Sequence, residues 1–210
     1  MLNFIKKIFS IFLIFLIFNL TFVNSAQAGP SFAAEEEIHS NNSSDTGVKP
    51  QNVVFNTTGF RMFVLTARAP NNNDDKVKEF SLSTAFDVTS TMSLITTKVV
   101  KTEDTAPRGL AFNNDGTKMF VVGDAGDDIN EYTLSTGFDL TSTVSHVDEF
   151  DVSGQDEKPQ GIAFNDDGTM MFVVGNDGND VNKYTLSTGF DLSSTVNFVG
   201  VFSVAEETTV

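Results

Sequence analysis

The chain has 210 residues, of which 40% are hydrophobic, and this content is sufficient for a packed core. Acidic residues outnumber basic residues by 28 to 13, so the net charge is −15 and the surface repels the phosphate backbone of nucleic acids. Cysteine is absent, which excludes disulfides, thiolate nucleophiles and cysteine-ligated zinc, so stability has to come from packing.

The N-terminal segment has the pattern of an export signal. Lys6 and Lys7 are followed by an apolar stretch over 8–18, and Ala26-Gln27-Ala28 places small residues at the spacing that signal peptidase recognises. The apolar stretch is shorter than the roughly 20 residues that a membrane span needs. We therefore predict a cleaved signal peptide over residues 1–28.

Export predicts a secreted or periplasmic location, with no membrane association once the signal is removed. Residues 29–49 are rich in Glu, Asn and Ser and show no hydrophobic periodicity. Such a composition cannot bury enough apolar surface to fold, so we expect a disordered tether there.

Internal repeats dominate the remainder of the chain. The motif Pro107–Asn113 returns as Pro159–Asn165, and an ungapped alignment of residues 107–158 with 159–210 has 31 identical positions. A more divergent copy occupies residues 50–106, so we predict three tandem units with these boundaries.

Each unit contains four short strand patterns separated by turn residues. In the second unit the strands are predicted over 109–112, 119–122, 129–134 and 144–152, with a tight hairpin at Asn113–Gly116. The first two strands are apolar on both faces, whereas polar residues increase in the outer two. This gradient is typical of four-stranded antiparallel blades whose inner strands are covered by neighbouring blades.

The repeated sequence Pro-x-Gly-Ile-Ala-Phe, followed by Asp-Gly and an apolar strand ending in Gly, resembles the secreted NHL-like and YVTN-like β-propellers. The resemblance covers all three units and implies an all-β, β-propeller-type array. Propellers of this kind bind ligands, glycans or proteins, and a few are lactonase-type enzymes, so the resemblance alone does not define an activity.

Three blades are too few to close a propeller ring, which normally has roughly four to eight. An open stack would expose the apolar faces of its first and last blades. The chain is therefore expected either to be part of a longer array or to close its ring as a homodimer.

Candidate catalytic groups are scarce. Nucleophilic catalysis by Ser or Thr needs a nearby base, and the two histidines are His39, in the tether, and His146. His146 occupies the position of Leu94 and Phe198 in the sister units, so we predict that it replaces an apolar packing residue. A lactonase-type site would need carboxylates converging on the axis, and the predicted inner strands carry none.

The loops between the second and third strands are acidic and rich in glycine. Strand alternation places them on the same edge as the connections between blades, which contain Asp156 and Glu157. Calcium takes six to eight oxygen ligands, so this edge is a candidate calcium site, although Asp, Asn and Gly are also the usual residues of exposed turns and the spacing of known calcium loops is absent. The candidate metal ligands are Asp124, Asp127, Asp128, Asp177 and Asp180.

These observations favour an exported, non-catalytic binding or scaffolding module that presents an acidic rim to a protein, a glycan or a cation. No tightly bound cofactor is expected. Two rival hypotheses are a metal-dependent hydrolase of the lactonase type, with ligands on further blades, and a surface array in which the blades serve as spacers.

Overall fold

The computed structural model describes residues 48–67 and 75–204, which form twelve β-strands, and this part of the chain contains no helix that could span a membrane. The predicted signal peptide, the tether up to residue 47 and most of the insertion in the first unit lie outside the described residues. The strands are β1 Lys49–Phe55, β2 Arg61–Ala67, β3 Lys76–Leu82, β4 Met92–Val99, β5 Pro107–Phe112, β6 Lys118–Gly123, β7 Asp128–Leu134, β8 Val144–Asp151, β9 Pro159–Phe164, β10 Met170–Gly175, β11 Asp180–Leu186 and β12 Val196–Ser203.

The strands form three four-stranded antiparallel sheets in chain order, one from each repeat. We call them blade 1 (β1–β4), blade 2 (β5–β8) and blade 3 (β9–β12). The first strand of each blade contacts the first strand of the next, while β8 and β12 lie at the periphery and are largely exposed. Adjacent innermost strands and exposed outermost strands are the arrangement of propeller blades about an axis, so the predicted fold class is confirmed.

The hairpin between β5 and β6 forms where the sequence predicts it. The Gly116 N–H donates to the Asn113 carbonyl over 3.1 Å, and the Asp115 carboxylate accepts a hydrogen bond from the Thr117 N–H over 2.9 Å. Gly116 has φ +73°, and a Cβ at this position would overlap the ring of Phe138. Glycine is therefore required both by the backbone conformation and by the close approach of the ring.

Blade 2 is covered by a neighbour on each side, which explains the two-sided apolar pattern of its second strand. Met119 and Val121 lie on the face towards blade 1, which we call the backward face, and pack in one cluster with Phe63 and Leu65. These four side chains are all fully buried.

The opposite face of blade 2, its forward face, packs against blade 3. Phe120, Val122 and Ile129 share a second core cluster with Met171 and Val173. Alternate residues of β6 therefore belong to two different blade joints, because successive side chains in a strand point to opposite faces.

In the second and third units the recurring turn phenylalanine packs in a blade joint, as the repeat predicts, whereas its counterpart Phe86 in the first unit is 60% exposed. The Phe138 ring lies 5.4 Å from the Phe112 ring and 6.2 Å from the Phe63 ring, between centroids. Phe138 and its counterpart Phe190 are half-buried and have φ of 54° and 57°, a left-handed conformation that costs energy for a bulky residue. Phe86 has the same conformation (φ 57°) without a preceding blade beside it among residues 48–67 and 75–204, and in all three turns the phenylalanine N–H donates to a glycine carbonyl, which holds the turn within each blade.

A buried glutamate links blade 2 to blade 3. Glu131 Oε2 accepts a hydrogen bond of 2.8 Å from the backbone N–H of Leu192, a residue of the following blade. Its Oε1 lies 2.7 Å from Lys118 Nζ, which also donates to the Phe190 carbonyl over 2.6 Å. Lys118 and Glu131, both in blade 2, therefore provide hydrogen-bond partners for two backbone groups of blade 3.

The same arrangement joins blade 1 to blade 2. Glu79 is fully buried, accepts a hydrogen bond of 2.8 Å from the Leu140 N–H, and pairs with Arg61. Burial raises the pKa of Glu79, while the Leu140 N–H and Arg61 act in the opposite direction. In each blade a β-bulge between the third and fourth strands lies at this position, which increases the local twist.

Candidate functional site

The loops between second and third strands lie beside the connections between blades, as predicted. The Asp124 N–H donates to the Ala106 carbonyl over 3.1 Å, and the Asn176 N–H donates to the Lys158 carbonyl over 3.1 Å. We call this edge the acidic rim. It consists of loops 123–128 and 175–180 and connections 100–106 and 152–158.

Two of the candidate metal ligands are engaged by basic side chains. Asp124 Oδ2 accepts hydrogen bonds of 2.9 and 2.8 Å from Nε and Nη2 of Arg108, and its Oδ1 accepts one of 2.8 Å from the Gln160 amide. Asp177 Oδ1 lies 2.9 Å from Lys158 Nζ. Both carboxylates therefore have a cation beside them already.

The other three candidates lie in the same two loops. The Asp128 and Asp180 carboxylates accept hydrogen bonds of 2.8 and 2.9 Å from the amides of Asn130 and Asn182, while Asp127 has φ 54° at the loop corner. Across residues 48–67 and 75–204, no three His, Asp or Glu side chains come together in an arrangement that could hold a metal ion. The structure thus distributes the five candidates along the rim, and calcium binding stays a prediction.

A polar cluster that sequence reasoning missed lies where the innermost strands begin. The ladder between the first two strands of each blade skips one residue, a β-bulge, and the skipped residues are Gln51, Arg108 and Gln160. Arg108 Nη1 donates to the Gln51 amide oxygen over 3.2 Å, and Gln160 shares Asp124 with Arg108. Side chains from three blades therefore meet at one point of the acidic rim.

The signal for this cluster is present in the sequence at the variable position of the Pro-x-Gly motif. Periodicity places the variable position within a continuous strand, where its side chain would point to one face of the sheet in the regular alternation. The bulge changes the direction of the side chain, as bulges beside functional sites commonly do. Only the pairing register reveals that Arg108 and Gln160 turn towards Asp124.

Asp104, in the connection between blades 1 and 2, is the rim carboxylate with the most perturbed environment. It is 1% exposed; Oδ1 accepts a hydrogen bond of 2.7 Å from the Ala106 N–H, and Oδ2 has no hydrogen-bond partner. The carboxylate lies against Gly123, where any Cβ would overlap it. Burial, reinforced by the charges of Asp128 and Asp124, raises the pKa of Asp104 to about 6.

Stability is therefore expected to depend on the protonation of Asp104. Its pKa is higher in the folded protein than the ordinary 3.8, so its favourable contribution is complete below pH 3.8 and is lost as the pH rises through about 6. A shift of this size corresponds to about 3 kcal/mol. The wild type should thus lose about 3 kcal/mol of unfolding free energy between pH 4 and pH 7 that Asp104→Asn, which cannot ionise, retains. Urea titration at each pH measures this difference.

A second buried carboxylate, Asp156, has a different hydrogen-bond environment. It occupies the equivalent connection between blades 2 and 3, and its Oδ1 accepts a hydrogen bond of 2.7 Å from the Lys158 N–H, but its Oδ2 faces the Gly178 N–H at 3.5 Å. Equal pH dependence in the Asp104→Asn variant and the wild type would contradict the assignment.

His146 takes the position of an aromatic packing residue. It lies on β8, with its ring edge-on to Tyr132 at 5.4 Å, as Phe198 lies against Tyr184 at 5.7 Å. Its Nε2 is 3.0 Å from the side-chain oxygen of Asn130. This confirms the predicted packing role. His39 lies outside the described residues.

No protein-family model and no curated protein matches the chain. Among solved structures it is similar to a protein from Lactobacillus plantarum, with 15% identity, coverage of 81% of this chain and 46% of that chain, and a TM-score of 0.55. It is also similar to a protein from Bacteroides fragilis provisionally assigned as a 6-phosphogluconolactonase, with 14% identity, 80% and 45% coverage, and a TM-score of 0.52.

The β-propeller domain of Swd1 from Myceliophteria thermophila also matches, with 11% identity, 76% and 45% coverage, and a TM-score of 0.48. Similarity at these identities shows the fold alone, so the chain is a β-propeller-type protein built from four-stranded blades. It spans less than half the length of each of these proteins. The finer resemblance to NHL-like or YVTN-like propellers is not confirmed by these matches.

Proposed function

We propose that this protein is an exported, non-catalytic binding module whose acidic rim binds a basic patch on a partner protein. The proposal rests on rim carboxylates that the fold itself leaves available. Glu157 is exposed and Asp127 is partly exposed, and neither carboxylate accepts a hydrogen bond from the described residues. Two cations at the rim, Arg108 and Lys158, are each already paired with an aspartate.

Electrostatics makes such a surface suited to recognition. A chain of net charge −15 attracts basic partners over long distances, and clustered charge of one sign accelerates association. The bonds of Arg108 to Gln51 and Asp124, with that of Gln160 to Asp124, link three blades at the rim, so the available carboxylates project from a fixed base. A rigid presentation lowers the entropy cost of binding.

A fluorescent oligolysine peptide is a direct probe of this proposal. Binding measured by anisotropy should weaken by about tenfold or more, about 1.4 kcal/mol, in the triple variant Asp127→Asn, Glu157→Gln, Asp180→Asn. The control is Asp148→Asn, Glu149→Gln, Asp166→Asn, which removes the same charge outside the rim. Equal losses in the two variants would show that net charge alone attracts the peptide, and the rim proposal would fail.

Calcium and glycans are the other partners that this rim could take. Calcium chloride should raise the melting temperature if the cation binds the native state, and Asp128→Asn should remove that rise. A glycan array screened with the wild type and with the triple rim variant separates glycan binding from binding of a basic protein. A response to either ligand without a response to oligolysine would replace the basic partner in this proposal.

A lactonase-type hydrolase is a second candidate, favoured by the cluster of Gln51, Arg108, Asp124 and Gln160 at the ends of the innermost strands. The similar protein from Bacteroides fragilis carries a provisional lactonase assignment. Hydrolysis of a lactone panel, lost in Arg108→Met and retained in Asp166→Asn, would support this activity. A chain inactive on the panel and unresponsive to the rim ligands would be a structural spacer.

A further inference from the structure

The forward face of blade 3 is the counterpart of a surface that blade 2 buries. Phe172, Val181 and Phe202 of blade 3 correspond to Phe120, Ile129 and Phe150 of blade 2 in the repeat alignment. In blade 2 this surface is covered by blade 3, whereas in blade 3 Phe202 is 69% exposed and borders a shallow apolar hollow of about 290 Å³. The hollow is therefore lined like one side of a blade joint, with no following blade packed against it among the described residues.

The backward face of blade 1 is open at its edge, where Phe86 is 60% exposed. Met62, Phe80 and Leu82 form an apolar cluster on this face, but these side chains are already buried, with 7%, 3% and 4% of their surface exposed. At its edge Val88 is 49% exposed, whereas Leu140, at the same position in blade 2, is 6% exposed. Within the part of the chain that the structure describes, the turn at this edge of blade 1 therefore lacks the cover that blade 1 gives to the equivalent turn of blade 2.

Charged residues on these two open faces are complementary. Internal joints place the cation Arg61 or Lys118 beside a turn aspartate of the next blade, and these cations help to lower the pKa of Asp139 and Asp191. In blade 3 the positions of Lys118 and Glu131 are taken by Met170 and Lys183. The cation has thus moved to the position of the buried glutamate.

Lys183 is half-buried in the hollow and has no carboxylate partner among the described residues. The equivalent turn aspartate on the open face of blade 1 is Asp87, which adjoins Val88. Lys183 on one open face and Asp87 on the other therefore carry opposite charges at matching positions of a blade joint.

We propose that the forward face of blade 3 docks on the backward face of blade 1 of a second copy, and that the reciprocal contact closes a two-fold ring of six blades. Lys183 of each copy then takes the place of Lys118 in donating to the turn that contains Phe86 and Asp87. Six blades lie within the usual range for a closed ring, and closure covers both apolar faces at once. This interface is independent of the proposed function of the rim.

Light scattering of the full chain over a concentration series tests the proposal. The wild type should approach twice the chain mass, and Phe202→Asp should be monomeric because it places a charge in the apolar hollow. Val147→Asp is the control, since Val147 is a 50% exposed valine of blade 2, whose forward face blade 3 already covers. Self-association through the N-terminal apolar segment would persist in Phe202→Asp, so this variant separates the two causes.

Charge substitution tests the joint itself. Lys183→Glu should raise the dimer dissociation constant by about tenfold or more, because its carboxylate would meet Asp87 without a cation. Adding Met170→Lys recreates the Lys118–Glu131 pair of the internal joint and should restore the dimer. A monomeric wild type, a dimer insensitive to Phe202→Asp, or growth beyond the dimer would overturn the proposal.

Discussion

Glu131→Ala is expected to lower the free energy of unfolding by about 3 kcal/mol, because removing one partner of a buried ion pair leaves the other groups without compensation. The substitution removes the acceptor of the Leu192 N–H, which lies in a buried turn of blade 3. It also removes the carboxylate beside Lys118, whose side chain is 25% exposed and can partly rehydrate. This exposure places the estimate at the lower end of the usual range. Urea unfolding at pH 7 measures the change.

Two further variants define the origin of that loss. Glu131→Gln retains an acceptor for the Leu192 N–H and should cost only about 1 to 2 kcal/mol. Glu149→Ala removes an exposed carboxylate from the neighbouring strand and should change stability by no more than about 0.5 kcal/mol. If Glu131→Ala and Glu149→Ala had equal effects, the glutamate would not link the blades as described.

Phe120→Ala should destabilise the protein by about 3 to 5 kcal/mol, the usual cost of deleting a fully buried phenylalanine ring. The ring is 0% exposed and lies 4.6 Å from the Phe164 ring, so its loss opens a cavity in the joint between blades 2 and 3. Phe190, whose ring lies 6.5 Å away, would lose one of its ring contacts. The change is measured by thermal and urea unfolding.

Phe198→Ala is the matched control, since it removes the same ring from a site that is 45% exposed. Its ring contacts Tyr184 at 5.7 Å on the outer part of blade 3, and we expect a cost of about 1 kcal/mol. A similar loss in both variants would mean that burial in the blade joint does not govern stability.

Much of the fold could be predicted from the sequence because each unit repeats the same turn residues and strand patterns. The hairpin at Asn113–Gly116 is specified by residues that tolerate positive φ, and the Asp139 carboxylate accepts the hydrogen bond of 2.9 Å from the Thr141 N–H that makes it a turn cap, as the motif predicts. The two-sided apolar pattern of β6 correctly indicated a strand covered on both faces.

The polar contacts were harder to predict because they depend on residues from different blades. Glu131 and Leu192 are 61 positions apart, and nothing in the local pattern of β7 distinguishes this buried carboxylate from an exposed one. The same holds for Asp104, which reads as one acid among several in a connection yet is buried against Gly123.

The sequence by itself determined the number of repeats, the strands, their order and the acidic character of one rim, since these follow from periodicity, turn chemistry and composition. Tertiary structure alone decided which carboxylates are buried and which partners the rim aspartates take. For example, the β-bulges that turn Arg108 and Gln160 towards Asp124 are visible only in the strand pairing. The physical reason is that register and blade stacking bring distant side chains within hydrogen-bond distance, and a pattern confined to one strand carries no information about its neighbours.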